Sequence, residues 1–157
     1  MKIDHVNIVV RDLEGAVAFY TRLLGMQQTF ETTLQGAWIE SVTGLPEARA
    51  RCVFLQFPDG DFRLELLQYL SPQAEISPAN SQPHQPGIRH LAFETREMEA
   101  LCDRLRSAGI AFVSPPITVP FPVGPKSLKK RLCYFHDPEG VLLEVAEYAN
   151  ESQTRIS

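Results

Sequence analysis

Four residues of metal-binding type occur in a repeated order along this 157-residue chain. The order is His5, Glu65, His90 and Glu144, so a glutamate follows each histidine, after 60 residues in the first half and 54 in the second. Two imidazoles and two carboxylates make a full set of protein ligands for a divalent transition metal. We therefore predict that these four residues share one metal site.

The elements that must position these residues are also repeated. Each half opens with a stretch typical of a strand around its histidine and continues with apolar residues at helical spacing. Both helical sets follow i, i+3, i+4, i+7, i+10, which is one stripe of an amphipathic helix. The sets are Leu13, Ala16, Val17, Tyr20, Leu23 and Met98, Leu101, Cys102, Leu105, Ala108. Asp12 and Thr95 are predicted N-caps, and Gly25 and Gly109 are predicted left-handed residues after the helices.

Each half ends in a pattern that predicts a β-hairpin. Apolar stretches at 52–57 and 63–67 flank a Pro-Asp-Gly turn, and those at 132–136 and 142–145 flank Asp-Pro-Glu-Gly. One more extended stretch per half is predicted at 38–42 and 117–119. Each module thus contains a strand, a helix and about three further strands, which predicts an α+β fold of two βαβββ modules.

Side-chain alternation gives the predicted ligands a common setting. Successive strand residues face opposite sides, so His5 and Asn7 share one face while Val6 and Ile8 share the other. In each predicted strand the more apolar face can pack under a helix, and the ligand points to the other face. A carboxylate among apolar neighbours is costly to bury unless a partner compensates it, and a metal ion is one such partner.

Composition limits the class of protein. The net charge of −4 argues against nucleic-acid binding, and no apolar run approaches the length needed to span a membrane. The chain enters a strand at once, so no signal peptide is predicted, and the three scattered cysteines predict buried free thiols in a cytoplasmic protein. A basic cluster is either a solvated loop or a grip for an anionic substrate group; its members are Lys126, Lys129, Lys130 and Arg131.

The predicted domain organisation is one domain over 1–149. Module one covers about 1–70 and module two about 87–149. The Pro-, Ser- and Gln-rich stretch 71–86 is the predicted linker, and 150–157 is a predicted frayed tail. The other two histidines do not follow the repeat: His84 is predicted to be exposed in the linker, and His136 to be structural.

Five motifs make the chain similar to the vicinal oxygen chelate superfamily: DHVNIVV, FYTRLLGM, RLELLQY, GIRHLAFE and YFHDPEGVLLEV. That superfamily includes glyoxalase I, methylmalonyl-CoA epimerase, extradiol dioxygenases and fosfomycin- and bleomycin-resistance proteins. The resemblance implies paired modules whose mixed sheets curl around a metal cup. It maps the ligands onto His5, Glu65, His90 and Glu144. It also implies a homodimer, with the cup inside one chain or across two, and a small-molecule substrate with a carbonyl or thioester group.

The ligand set favours a metal-dependent lyase or isomerase. A Ni, Co, Zn, Mn or Fe ion acts as a Lewis acid on a carbonyl and stabilises an enediolate or enolate. Glu144 is the first choice for the base that removes the α-proton, and Glu65 is the second. A fourth, carboxylate ligand resembles glyoxalase I (lactoylglutathione lyase), whereas methylmalonyl-CoA epimerase usually carries glutamine in the place of Glu65.

Two further alternatives stay open. An Fe(II) extradiol dioxygenase needs only two histidines and one carboxylate, which His5, His90 and Glu144 would supply. A binding protein of this fold that only sequesters its ligand would be free of metal.

Overall fold

The computed structural model describes residues 2–73, 82–124 and 126–149. It divides the chain into two compact units, Met1–Pro78 and Ala79–Ser157. Each unit contains its own four-stranded mixed sheet, in agreement with the predicted pair of α+β modules. The centre of the predicted linker, at 74–81, and the predicted tail, at 150–157, lie outside the described residues.

The first unit places the strand that follows His5 at the edge of its sheet. The elements are β1 (Val6–Val9), α1 (Leu13–Ala18) followed by a π-helical segment (Phe19–Leu23), β2 (Gln27–Gln35), α2 (Ala37–Thr43), β3 (Arg49–Gln56) and β4 (Arg63–Ser71). The strand order is β1-β4-β3-β2, with β1 parallel to β4 and the other neighbours antiparallel.

The second unit repeats this topology with fewer elements. The elements are β5 (His90–Glu94), α3 (Met98–Ser107), β6 (Ile117–Thr118), β7 (Lys129–His136) and β8 (Leu142–Ala149). The sheet has the order β5-β8-β7-β6, and β5 again lies parallel to β8. The second unit is therefore the βαβββ module that the sequence predicts, and both predicted hairpins are confirmed as β3–β4 and β7–β8.

The predicted helical stripes supply much of each core. In the first unit Leu13, Ala16 and Tyr20 are buried, and in the second unit Met98 and Leu105 are buried. Removing such apolar surface from water is the main force that holds a helix on its sheet. All three cysteines are buried free thiols, as predicted: Cys52, Cys102 and Cys133.

The predicted helix ends are largely confirmed. The Asp12 carboxylate accepts a hydrogen bond from the Gly15 amide at 3.0 Å, which caps α1. Gly25 and Gly109 have φ angles of 82° and 81°, the left-handed region that glycine adopts without steric cost. Thr95 was the wrong N-cap, because α3 begins after Glu97 and the Thr95 hydroxyl instead accepts the Glu97 amide.

The predicted strand at 38–42 is wrong. These residues lie in α2, where the hydroxyls of Ser41 and Thr43 donate to the carbonyls four residues earlier. The additional strand of this unit is β2, which pairs antiparallel with β3 and exposes most of its side chains. An exposed edge strand carries few apolar residues, so its sequence lacks the alternation by which a strand is recognised.

Candidate metal centre

His5 and Glu65 meet in the first unit because β1, which follows His5, runs parallel to β4, which carries Glu65. His5 immediately precedes β1, and Asn7 is the residue of β1 paired with Glu65 on β4. The His5 Nε2 atom lies 3.4 Å from Glu65 Oε2. The Glu65 side chain is only 15% exposed, so this carboxylate is largely removed from water and needs polar partners.

Two further side chains hold the Glu65 carboxylate. The Asn7 amide donates to Oε2 at 3.0 Å, and the Cys52 thiol donates to Oε1 at 3.4 Å. Burial, together with the nearby Glu65 carboxylate, raises the pKa of Cys52 to about 12, so this residue stays a neutral thiol at pH 7. Phe54, the residue of β3 opposite Glu65, meets the His5 ring edge-on at 5.5 Å.

Asp4 fixes the orientation of His5 from the other side of the ring. The His5 Nδ1 atom donates to Asp4 Oδ2 at 2.8 Å, and Arg63 donates to the same oxygen. Hydrogen bonds from His5 and Arg63 lower the pKa of Asp4 below its ordinary value, so Asp4 is a carboxylate at neutral pH. A proton held on Nδ1 leaves the Nε2 lone pair facing Glu65, which is the arrangement of a metal-binding histidine with a carboxylate behind it.

The second unit builds the same pair with the same strand register. His90 begins β5, and Ala92, two residues later, is the residue paired with Glu144 on β8. The His90 Nε2 atom lies 3.5 Å from Glu144 Oε2, and the Glu144 side chain is 5% exposed. Tyr134, opposite Glu144 on β7, lies 5.3 Å from the His90 ring, the place that Phe54 takes in the first unit.

Lys130 also belongs to this site, which its position in the basic cluster of the sequence did not predict. Its Nζ atom donates to Glu144 Oε1 at 2.6 Å and lies 5.7 Å from the centre of the Tyr148 ring. Burial acts to lower the pKa of Lys130, but the Glu144 carboxylate outweighs it and the pKa is raised, so the ammonium is retained. Burial and the same carboxylate also raise the pKa of Tyr134.

The other members of the predicted basic cluster differ from Lys130. Lys129 and Arg131 belong to β7 and not to a loop, and Lys129 is exposed. Arg131 donates to Glu99 of α3 and lies 3.5 Å from Glu147, so it ties the helix to the sheet. The cluster is thus not a loop throughout, and its alternative role as a grip for an anionic substrate group stays a prediction.

The four predicted ligands are found as two His–Glu pairs, which we call half-site one (His5 and Glu65) and half-site two (His90 and Glu144). Within 2–73, 82–124 and 126–149, no group of three or more His, Cys, Asp or Glu side chains is placed to hold a metal ion. The assembly of all four around one cation therefore remains a prediction.

Comparison with known proteins settles the family. Residues 2–145 match the model of the glyoxalase/bleomycin resistance protein/dioxygenase superfamily. This chain belongs to that superfamily. The resemblance given by the five sequence motifs is therefore confirmed.

The curated relatives of this superfamily member include epimerases. The 2-epi-5-epi-valiolone epimerase of an Actinomyces species is 31% identical over 166 residues, covering 98% of this chain and 86% of the relative. Human mitochondrial methylmalonyl-CoA epimerase is 26% identical over 148 residues, covering 93% and 73%.

A solved structure supports the fold of this superfamily member. A glyoxalase family protein from Bacillus cereus aligns with a TM-score of 0.83 at 26% identity, over 96% of this chain and 95% of that one. Among the described residues, none of the helices combines the length and the apolar character that crossing a bilayer requires.

Proposed function

We propose that this protein is a metal-dependent lyase or isomerase of the glyoxalase I type, which moves a proton at a carbon next to a carbonyl group. The observation that carries the proposal is the repeated His–Glu pair, with Nε2–Oε2 distances of 3.4 Å and 3.5 Å at equivalent strand positions. A duplicated scaffold that keeps the same two metal-binding residue types at the same register in both copies favours a ligand role for them over a packing role.

The donor atoms of each half-site fit a divalent cation. With metal–ligand bonds of about 2.0–2.2 Å, two ligand atoms on one metal lie about 3–3.5 Å apart. In half-site one the Asp4 contact takes the Nδ1 proton of His5, so the Nε2 lone pair faces Glu65 Oε2. A cation between these two atoms would stabilise both. The imidazole and carboxylate set suits Ni, Co, Zn, Mn or Fe(II), and such an ion supplies Lewis-acid stabilisation of negative charge on a substrate oxygen.

Glu144 is the residue we propose as the base, with Glu65 as the second carboxylate. Glu144 is buried in the second unit, where exclusion of water strengthens the electrostatic interactions of its carboxylate. Its Oε1 atom accepts a hydrogen bond from Lys130, and its Oε2 atom lies 3.5 Å from His90 Nε2, so Oε2 faces the metal-binding nitrogen. Glu144 would take the α-proton and return it to the neighbouring carbon, while Glu65 would serve the opposite face.

A second candidate function is epimerisation of an acyl-CoA thioester. The 26% identity with human methylmalonyl-CoA epimerase favours it, and the same proton removal by Glu144 would serve it. The two candidates differ in whether the proton returns to the same carbon or to its neighbour. We further propose a homodimer with a small-molecule carbonyl or thioester substrate.

Deuterium exchange tests the proposal on the intact protein. The protein is loaded in turn with Ni, Co, Zn, Mn and Fe(II) and incubated in D2O with hemithioacetals, α-hydroxyketones and acyl-CoA thioesters. We expect metal-dependent incorporation of deuterium into the product formed from the hemithioacetal, measured by mass spectrometry. Incorporation into acyl-CoA substrates alone would assign the epimerase.

Substitution of the base gives the sharpest control. Glu144→Gln should lower the exchange rate by about 10²-fold or more, because general-base catalysis typically contributes that much. Glu94→Gln, which alters an exposed carboxylate on β5 outside both half-sites, should retain the wild-type rate. Equal rates in the Glu144→Gln variant and the wild type would contradict the proposal, as would oxygen uptake with catechols in place of exchange.

A further inference from the structure

The two half-sites differ at one equivalent position, which lies on β3 in the first unit and on β7 in the second. Phe54 and Tyr134 lie opposite Glu65 and Glu144, and four residues earlier on the same strands are Ala50 and Lys130. Ala50 pairs with Tyr69, and Lys130 pairs with Tyr148, so the two residues occupy equivalent places in the duplicated scaffold. Half-site two therefore carries an ammonium group where half-site one carries a methyl group.

The contact between Lys130 and Glu144 is close and shielded from water. Nζ lies 2.6 Å from Oε1, and the two side chains are 18% and 5% exposed. Oε2 of the same carboxylate faces His90, so Lys130 and His90 share the two oxygens of Glu144. A carboxylate this buried needs a cationic or hydrogen-bonding partner at all times, and Lys130 supplies one.

We propose that Lys130 competes with the divalent cation for Glu144 and thereby sets the metal affinity of half-site two. This inference rests on the proposed function, since it requires that Glu144 bind a metal. A cation that takes Glu144 must break the contact with Oε1 or lie close to a retained positive charge, and either event lowers its affinity. Before metal binding, the same ammonium compensates the buried carboxylate.

Metal titration of full-length protein tests the inference without an activity assay. Lys130→Met should bind Co²⁺ and Zn²⁺ more tightly than the wild type, by about tenfold or more, in competition with a chromophoric chelator. Lys130→Arg retains the positive charge and should keep the affinity near the wild-type value. Lys129→Met removes a neighbouring exposed lysine of the same strand and should change the affinity little.

Two accompanying measurements separate competition from a general effect of charge. In metal-free protein Lys130→Met should lower the melting temperature, because it leaves Glu144 uncompensated, and Zn²⁺ should raise it by more than in the wild type. In wild-type protein with ¹³C-labelled lysine, Zn²⁺ should shift the Lys130 side-chain resonance, since its carboxylate partner is taken.

The outcomes distinguish this inference from the proposed function. If wild type and Lys130→Met bind Co²⁺ and Zn²⁺ equally well, or the variant binds them more weakly, the competition is overturned and the metal site stands. If Lys129→Met gains as much affinity as Lys130→Met, the effect is general charge and the competition is again overturned. If none of these proteins binds either ion, both proposals fail.

Discussion

At the scale of single residues, the side chains behind the histidines make the two half-sites chemically different. Asp4 receives the Nδ1 proton of His5 and is itself held by Arg63. The residue before His90 is Arg89, so half-site two has no carboxylate at the corresponding sequence position. Half-site one therefore has a carboxylate behind its imidazole, and half-site two has Lys130 on its carboxylate. The carboxylate behind His5 favours cation binding, whereas the lysine beside Glu144 opposes it.

Removing the Asp4 carboxylate should weaken metal binding. Loss of a carboxylate partner from a ligating histidine typically costs 10–100-fold in metal affinity. Because Asp4 is exposed to solvent, which weakens its contact with His5, we expect Asp4→Ala to lose about tenfold, at the low end of this range. The dissociation constant for Zn²⁺, measured by chelator competition at pH 7, checks this. Asp61→Ala, at an exposed carboxylate in the turn between β3 and β4, is the matched control. An unchanged dissociation constant in Asp4→Ala would show that the His5 contact does not orient the ligand.

At the scale of elements, the sequence predicted what depends on local pattern. The helices α1 and α3, both hairpins and the short strand β6 follow from apolar spacing and from turn residues. Alternation also predicts the face that each ligand occupies, but the two His–Glu pairs depend on parallel pairing of β1 with β4 and of β5 with β8, which no local pattern predicts. The polar strand β2 and helix α2 were missed, since β2 is specified by its pairing with β3, and α2 buries only Ile39 while Trp38 and Val42 stay exposed.

Lys130 could be assigned to the site only from the register of the β7–β8 hairpin. The turn at 137–140 pairs His136 with Leu142, and from there Tyr134 pairs with Glu144, so Lys130 lies on the same face as Glu144 by alternation. That signal was present in the sequence once the hairpin was assigned. The Asp4–His5 contact joins neighbouring residues ahead of a strand, and no periodic pattern predicts its geometry.

A glycine after α3 offers a test of element-level stability. Gly109 has a φ of 81°, and a Cβ atom added there meets no atom within 4 Å, so Gly109→Ala would suffer backbone strain without a clash. We expect the free energy of unfolding to fall by about 1–2 kcal/mol, measured by urea denaturation. Ser107→Ala, at the exposed end of the same helix, should stay within about 0.5 kcal/mol of the wild type. Equal stability of Gly109→Ala and wild type would mean that the helix end is not in this conformation.

At the scale of the whole molecule, duplication extends beyond the half-sites. Arg51 of β3 donates to Glu14 of α1, and Arg131 of β7 donates to Glu99 of α3. Each glutamate is the second residue of its helix, and each arginine lies three residues before the aromatic residue opposite the ligand glutamate. The two units thus repeat the tie between helix and sheet as well as the ligand pair. The predicted four-ligand centre would draw one histidine and one glutamate from each copy.

Metal stoichiometry separates one shared centre from two independent pairs. If half-sites one and two hold one ion together, whether from one chain or from two, the protein binds one divalent cation per chain, counted by elemental analysis and native mass spectrometry. Each pair alone supplies only two protein ligands, fewer than the three or four typical of protein zinc sites. His5→Ala and His90→Ala should therefore each remove most of the bound Zn²⁺, while His84→Ala, at an exposed histidine outside both half-sites, should bind one equivalent. Two ions per chain in the wild type, with one retained in each ligand variant, would show that the pairs act separately, and the four-ligand centre would then have to be abandoned.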